Sequence, residues 1–261
     1  MRVYTFSLVL LLSLSLPSLV SLVSLLSDTA TVEAATVDKK IALVYNGKFA
    51  DADATKALAT TLTRNQFEIN YFSHPKEIIA KIKTAKLLAI GGTIDEIDPF
   101  VTSFSKETVT TIKDFINNGG LYLGICGGGF LASTGWKEES TFVKALSLVP
   151  FESDSYIAKP EPKVINVKWK NVNRSIYYQF GPKFLPSNNM IDKLNIKIHA
   201  QYDDNSIAAC SLNVGQGRVY LIGPHPEADQ TWIDESVENE SSWKSTVDLS
   251  DDMIKDLTLK F

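Results

Sequence analysis

The chain has 261 residues, 44% of them apolar and 21% charged, and a net charge of −4. That is enough apolar material to bury one good core or two small ones. The acidic balance, with no lysine–arginine run, argues against a nucleic-acid partner, which needs a basic stripe to meet phosphates.

Residues 3–26 carry no charge and are mostly Leu, Val and Ser, with Arg2 before them and Val32-Glu33-Ala34-Ala35 after them. Small residues there suit signal-peptidase cleavage, so residues 1–34 read as a secretory signal cut near Ala34 or Ala35. Residues 38–261 then form a single domain in a secreted, periplasmic or other extracytoplasmic location. The alternative is an uncleaved N-terminal membrane anchor, against which Pro17 and the scattered serines count. A membrane partner is expected only in that case.

Residues 41–45 are a continuous apolar run ending at Asn46-Gly47, a strand, and residues 53–62 follow with helical spacing. A second strand covers 67–72 and stops at His74-Pro75; a short helix covers 78–82; a third strand, 87–90, ends at Gly91-Gly92-Thr93. After a loop, residues 106–117 form an amphipathic helix with Val109, Ile112, Phe115 and Ile116 on one side, closed by Asn118-Gly119-Gly120. Strand and helix thus alternate, which predicts a parallel sheet covered on both faces, with a ligand crevice at the strands' carboxyl ends.

The next unit is Leu121-Tyr122-Leu123-Gly124-Ile125-Cys126-Gly127-Gly128-Gly129-Phe130-Leu131-Ala132. It reads as a buried strand, a glycine-bounded turn and the start of a helix, with Cys126 at the corner. Glycines on both sides permit a strained turn and keep side chains away from a reacting carbon. A thiol at a helix N-terminus faces unpaired N–H groups that favour thiolate and can hold an oxyanion. The bland reading is a glycine turn that packs helix on strand.

From 151 to 221 the pattern becomes short alternating runs at 164–169, 175–178, 196–202, 207–212 and 217–222, expected as further strands, several antiparallel, extending the same sheet. Gly181-Pro182 and Leu185-Pro186 mark a loop, and Val214-Gly215-Gln216-Gly217 a hairpin turn. Of Tyr177 and Tyr178, which alternate on a strand, one belongs to the core and the other lines the crevice. His199 reads as a satisfied sheet-face histidine and His74 as an exposed loop residue; no cofactor or metal is expected, because no neighbour has ligand spacing. The sequons Asn173-Arg174-Ser175 and Asn239-Glu240-Ser241 are candidate glycosylation sites, and 250–259 closes the chain as a helix. Cys210 sits in an apolar strand; in an oxidising compartment it either pairs with Cys126, abolishing the nucleophile, or stays a small buried residue.

The strand 219–222 runs into Gly223-Pro224-His225-Pro226-Glu227. Residues two apart in extended chain point the same way, so His225 and Glu227 project together, and the carboxylate can fix the imidazole tautomer and leave the other nitrogen free to take a thiol proton. These residues carry a resemblance. The Gly-Ile-Cys-Gly-Gly-Gly turn, the Ile90-Gly91-Gly92 turn and Gly-Pro-His-Pro-Glu resemble the class I glutamine amidotransferase fold, and more closely the biotin-protein ligase N-terminal domain family, over about residues 40–230; Tyr177-Tyr178-Gln179-Phe180-Gly181-Pro182 is similar to that family's Tyr-x-x-Gly-Pro segment.

The resemblance implies an α/β, flavodoxin-like three-layer sandwich with a central, mostly parallel sheet. It implies Cys126 as nucleophile, His225 as general base and acid, Glu227 as the orienting carboxylate, and the amides of Gly127 and of Gly92 or Gly91 as oxyanion hole. Tyr178 and Gly181 are its candidate substrate-binding positions. Gly127 stands where the family usually has alanine, and no clear match exists to the residues that hold glutamine. The expected function is cysteine-dependent hydrolysis of a small-molecule or peptide amide; the alternative is a binding domain of the same fold without chemistry.

Overall fold

The computed structural model describes residues 40–259 apart from 95–96, 139, 235 and 238–242. The expected signal or anchor, residues 1–34, and the sequon at Asn239 lie outside them. In chain order the elements are β1 (Lys40–Tyr45), α1 (Ala52–Arg64), β2 (Phe67–Phe72), α2 (Ile78–Lys81), β3 (Leu87–Ile90), α3 (Ile97–Thr102), α4 (Lys106–Asn117), β4 (Leu121–Ile125) and α5 (Gly127–Ala132). There follow β5 (Gly135–Glu138), β6 (Thr141–Lys144), β7 (Glu152–Ser155), β8 (Lys163–Trp169), β9 (Val172–Tyr178) and β10 (Pro182–Leu185). The chain ends with α6 (Asn188–Lys193), β11 (Lys197–Tyr202), β12 (Ile207–Val214), β13 (Gly217–Ile222) and α7 (Val247–Thr258).

One large sheet has the order β2-β1-β3-β4-β13-β12-β11-β8-β9. Strands β2 to β13 of that order are parallel, as strand–helix alternation requires, and β12, β11, β8 and β9 add antiparallel partners. The turn at Gly215 closes β12 on β13 with Val214 opposite Gly217. Alternate residues feed two cores. Leu43, Leu88, Tyr122 and Leu221 pack with Ile78, Phe100, Ile112 and Ile116 on one face. Ala42, Val44, Leu87, Leu123 and Ile222 pack with Leu58, Leu62, Leu249 and Met253 on the other. Each fully buried large aliphatic side chain contributes about 1.5–3 kcal/mol, so burial on both faces explains why the central strands are apolar throughout. The fold is a three-layer α/β sandwich with a central, mostly parallel sheet.

Two stretches differ from the sequence expectation. The Gly-Pro and Leu-Pro pairs do not bound a loop: β10 pairs along its length with β7 and, at Phe184, with Ile207 of β12. Pro182 is tolerated because it is the first residue of a strand off the main sheet order. A Cβ at Gly181 would stand 2.1 Å from Gly223 O, so glycine here permits close backbone approach rather than a turn. The loop before α4 contains the short helix α3, which buries Phe100 against Tyr45 with ring centroids 4.3 Å apart. Among the described residues, no helix is long and apolar enough to cross a membrane.

Candidate functional site

Because β3, β4 and β13 are neighbours in the sheet, the segments leaving their carboxyl ends meet. They are Gly91-Gly92-Thr93, Cys126-Gly127 and the loop containing His225.

Cys126 has φ 49° and ψ −109°, a conformation that a side-chain-bearing residue adopts only when its surroundings impose it. Here hydrogen bonds impose it. The Cys126 N–H donates to Ile222 O at 2.9 Å, and Cys126 O accepts from Gly129 N at 2.8 Å and Phe130 N at 3.1 Å. Gly128 N donates to Gly91 O at 3.1 Å, tying the turn to the end of β3. A Cβ at Gly128 would stand 2.0 Å from Ile90 O, so only glycine fits. Behind the turn, the buried Tyr122 hydroxyl donates to Gly128 O at 2.8 Å.

His225 is held through its backbone, whose N–H donates to Tyr177 O at 2.9 Å. Its Nδ1 lies 2.9 Å from Glu227 Oε1, and both side chains are buried. Among the described residues, Glu227 Oε2 has no hydrogen-bond partner, so the imidazole is this carboxylate's principal contact. The ring and the Cys126 side chain line the same cavity. Burial alone would lower the His225 pKa, but the charge of Glu227 and then that of Cys126 outweigh it and hold the imidazole well above its ordinary value. The ring also packs edge-on against Tyr177, centroids 5.9 Å apart, and tilted against Trp232 at 5.4 Å. A Cβ at Gly92 would come within 3.0 Å of His225 Cε1, so the glycine leaves room for the ring.

Cys126, His225, Tyr177 and Trp232 line one cavity of about 510 Å³, together with Gly92, Gly127 and Trp136. Gly91 stands behind it, its carbonyl engaged by Gly128, so Gly92 is the better-placed amide of the pair. A thiol, an imidazole anchored by a carboxylate, and backbone amides on one side of a cavity can together attack, protonate and stabilise a carbonyl centre. Among the described residues, no group of three or more His, Cys, Asp or Glu side chains is arranged to hold a metal.

Tyr178 is placed differently from the substrate-binding role implied by resemblance. It is fully buried in the second core, donates its hydroxyl to Gly181 O at 2.9 Å and receives the Ile157 N–H, so Tyr178 and Gly181 are tied into packing away from the cavity. Tyr177, on the opposite side of the strand, lines the cavity. Gln179 and Phe180 line it too. Gln179 O accepts from the Cys126 thiol at 3.6 Å, and Phe180 is exposed at φ 52°. Strand parity from Tyr177 could have pointed to Gln179; no local signal marks Trp232. Cys126 and Cys210 are both free and belong to opposite faces of the sheet, which sets the disulfide aside. His199 is buried, with Nε2 2.8 Å from Ser211 Oγ and Nδ1 3.1 Å from Asp256 Oδ2, a satisfied structural histidine. His74 is exposed and caps a short turn through Lys76 N.

A family profile described as "Biotin-protein ligase, N terminal" matches residues 40–141 and 157–258. The biotin–protein ligase of Schizosaccharomyces pombe is 27% identical over 151 residues, which cover 49% of this chain and 24% of that protein; the chain thus spans about a quarter of that relative's length. Among solved structures, one of a glutamine amidotransferase aligns with TM-score 0.53 at 13% identity, covering 71% of this chain and 90% of that one. A glutamine amidotransferase from Thermotoga maritima aligns with TM-score 0.50 at 11% identity, covering 73% of this chain and 77% of that one. At such identities the likeness is one of fold.

Proposed function

The chain belongs to the biotin-protein ligase N-terminal family, and we propose that it is a cysteine-dependent hydrolase of amide bonds. The reaction uses Cys126, His225 and Glu227. The observation that carries the reading is the strained backbone of Cys126, held by hydrogen bonds to three segments beside an imidazole already paired with a buried carboxylate. Strain of this kind is retained where it orients a reacting group.

In the reaction, the Cys126 thiolate adds to the amide carbonyl carbon. The new oxyanion accepts hydrogen bonds from the Gly127 and Gly92 amides, each such donor being worth about 10²–10³ in rate. Collapse breaks the C–N bond, and the His225 imidazolium gives its proton to the departing amine. The neutral ring, its Nδ1–H held by Glu227, then takes a proton from water at Nε2. The resulting hydroxide adds to the thioester, the C–S bond breaks, and the carboxylic acid product leaves with thiolate and imidazolium restored. A secreted or otherwise extracytoplasmic location belongs to the same reading, supported by the uncharged run at 3–26 and the Ala34-Ala35 site.

One observation favours a second reading, a binding domain without turnover: the Cys126 thiol is already engaged as a donor to the Gln179 carbonyl. An activity-based probe for cysteine amidases separates the two. On the hydrolase reading the probe labels the wild type, and Cys126→Ser lowers turnover by about a thousandfold or more. A folded, reduced wild type that neither takes the probe nor reacts with iodoacetamide ahead of an ordinary thiol sinks it.

A further inference from the structure

The cavity's walls have a chemistry that the thiol reaction does not use. Aromatic rings make up much of its lining: Phe130, Trp136, Tyr177, Phe180 and Trp232. Tyr177 and Trp232 meet as a corner, centroids 5.1 Å apart and planes at 87°, and Phe130 and Trp136 form another at 5.2 Å and 63°. Aromatic faces carry a negative quadrupole that attracts a cation within about 6 Å of the ring.

Carboxylates outnumber cations among the described charged lining residues. Asp51, Asp53, Glu138 and Asp234 face Lys137 as the only lysine or arginine. His225 does not reverse the balance, because its charge is already matched by Glu227. Asp51 also accepts from Ala54 N at 2.8 Å as the cap of α1, and Asp234 from Ser236 N, and both residues line the cavity. The Tyr177 hydroxyl registers the field: burial foremost, then Asp51 and Asp234, push it up to about 12. A carboxylate-bearing ligand would meet repulsion here and no guanidinium or ammonium group beyond Lys137 to bind it. A cation would meet aromatic faces and an uncompensated negative rim.

We propose that this cavity selects substrates carrying a positively charged, alkylated ammonium group near the scissile amide, held by the aromatic walls, with Trp232 foremost, under the carboxylates of Asp53, Glu138 and Asp234. The inference deepens the hydrolase reading and rests on the same cavity, but binding tests it without any chemistry.

The experiment uses the full chain with Cys126→Ser, titrated with benzyltrimethylammonium, benzyl alcohol and benzoate at equal ionic strength and followed by tryptophan fluorescence. The ammonium compound should bind about tenfold more tightly than the alcohol, and benzoate most weakly. Asp53, Glu138 and Asp234 are exposed, so Asp53→Asn, Glu138→Gln and Asp234→Asn combined should leave the fold intact, checked by circular dichroism, and remove most of that preference. Trp232→Leu should weaken ammonium binding and leave the benzyl alcohol affinity within about twofold. Equal binding of ammonium and alcohol, no binding of the ammonium, tighter binding of benzoate, or a preference that survives the triple change overturns the proposal. An unreactive Cys126 in a protein that still prefers the ammonium would instead dispose of the hydrolase reading and leave this one standing.

Discussion

At Cys126 a left-handed backbone costs on the order of 1–3 kcal/mol, and it is offset by hydrogen bonds reaching β13, the end of β3 and the first turn of α5. The thiol is therefore positioned by the sheet and not by its own loop. His225 brings a pH dependence whose direction follows from its partners. Its pKa rises from 6.5 to about 10, burial opposing and Glu227 and Cys126 prevailing, so folding favours the protonated ring. The stability this contributes is fully present below the unfolded value and fades as pH rises through the folded one. Wild type should thus exceed His225→Gln in urea-measured stability at about pH 6, and the gap should narrow by about pH 10. A gap that widens over that range contradicts the assignment. At this scale much was legible, because Cys126, His225 and Glu227 sit in short motifs whose geometry is local: a glycine-flanked corner and residues two apart in extended chain. Tyr178 was not. Parity said that one tyrosine faced inward, but which one depends on the core formed with Tyr156 and Tyr202, which the local pattern does not announce.

Whole elements were read best where one periodicity ran uninterrupted. The strands β2 and β3 and the helix α4 have the bounds their sequence implies, each ended by a plain stop at His74-Pro75, Gly91-Gly92 or Asn118-Gly119-Gly120. Elements such as α3, β5, β6, β7 and α6 are four to six residues long, too short for a period to show, and depend on tertiary partners. Ser105 gives α4 its start. The hydroxyl accepts from Thr108 N at 3.1 Å, satisfying one of the amides that a helix leaves open. Ser105→Ala should cost about 1 kcal/mol in chemical denaturation, and Ser105→Asp should keep most of the wild-type stability. An alanine variant as stable as wild type would mean that water serves the amide equally well.

Across the molecule, the two cores are separated by the sheet itself, and each contains one of the two cysteines. The alternation of strands and helices announced this layering, whereas the long antiparallel extension through β9 was visible only as texture, since its pairing order is set by contacts distant in sequence. Cys210 is wholly enclosed in β12 between β13 and β11, and burial pushes its thiol far above the ordinary range. Cys126 opens onto the cavity. Mass-resolved alkylation should therefore show two phases: a prompt adduct at Cys126, and one at Cys210 whose rate climbs with urea in step with global unfolding. Simultaneous modification of both would contradict a closed second layer. The protein carries, in effect, its own pair of clocks, one keeping the time of the reactive mouth and the other the lifetime of the native state, readable in a single tube without any label being engineered in.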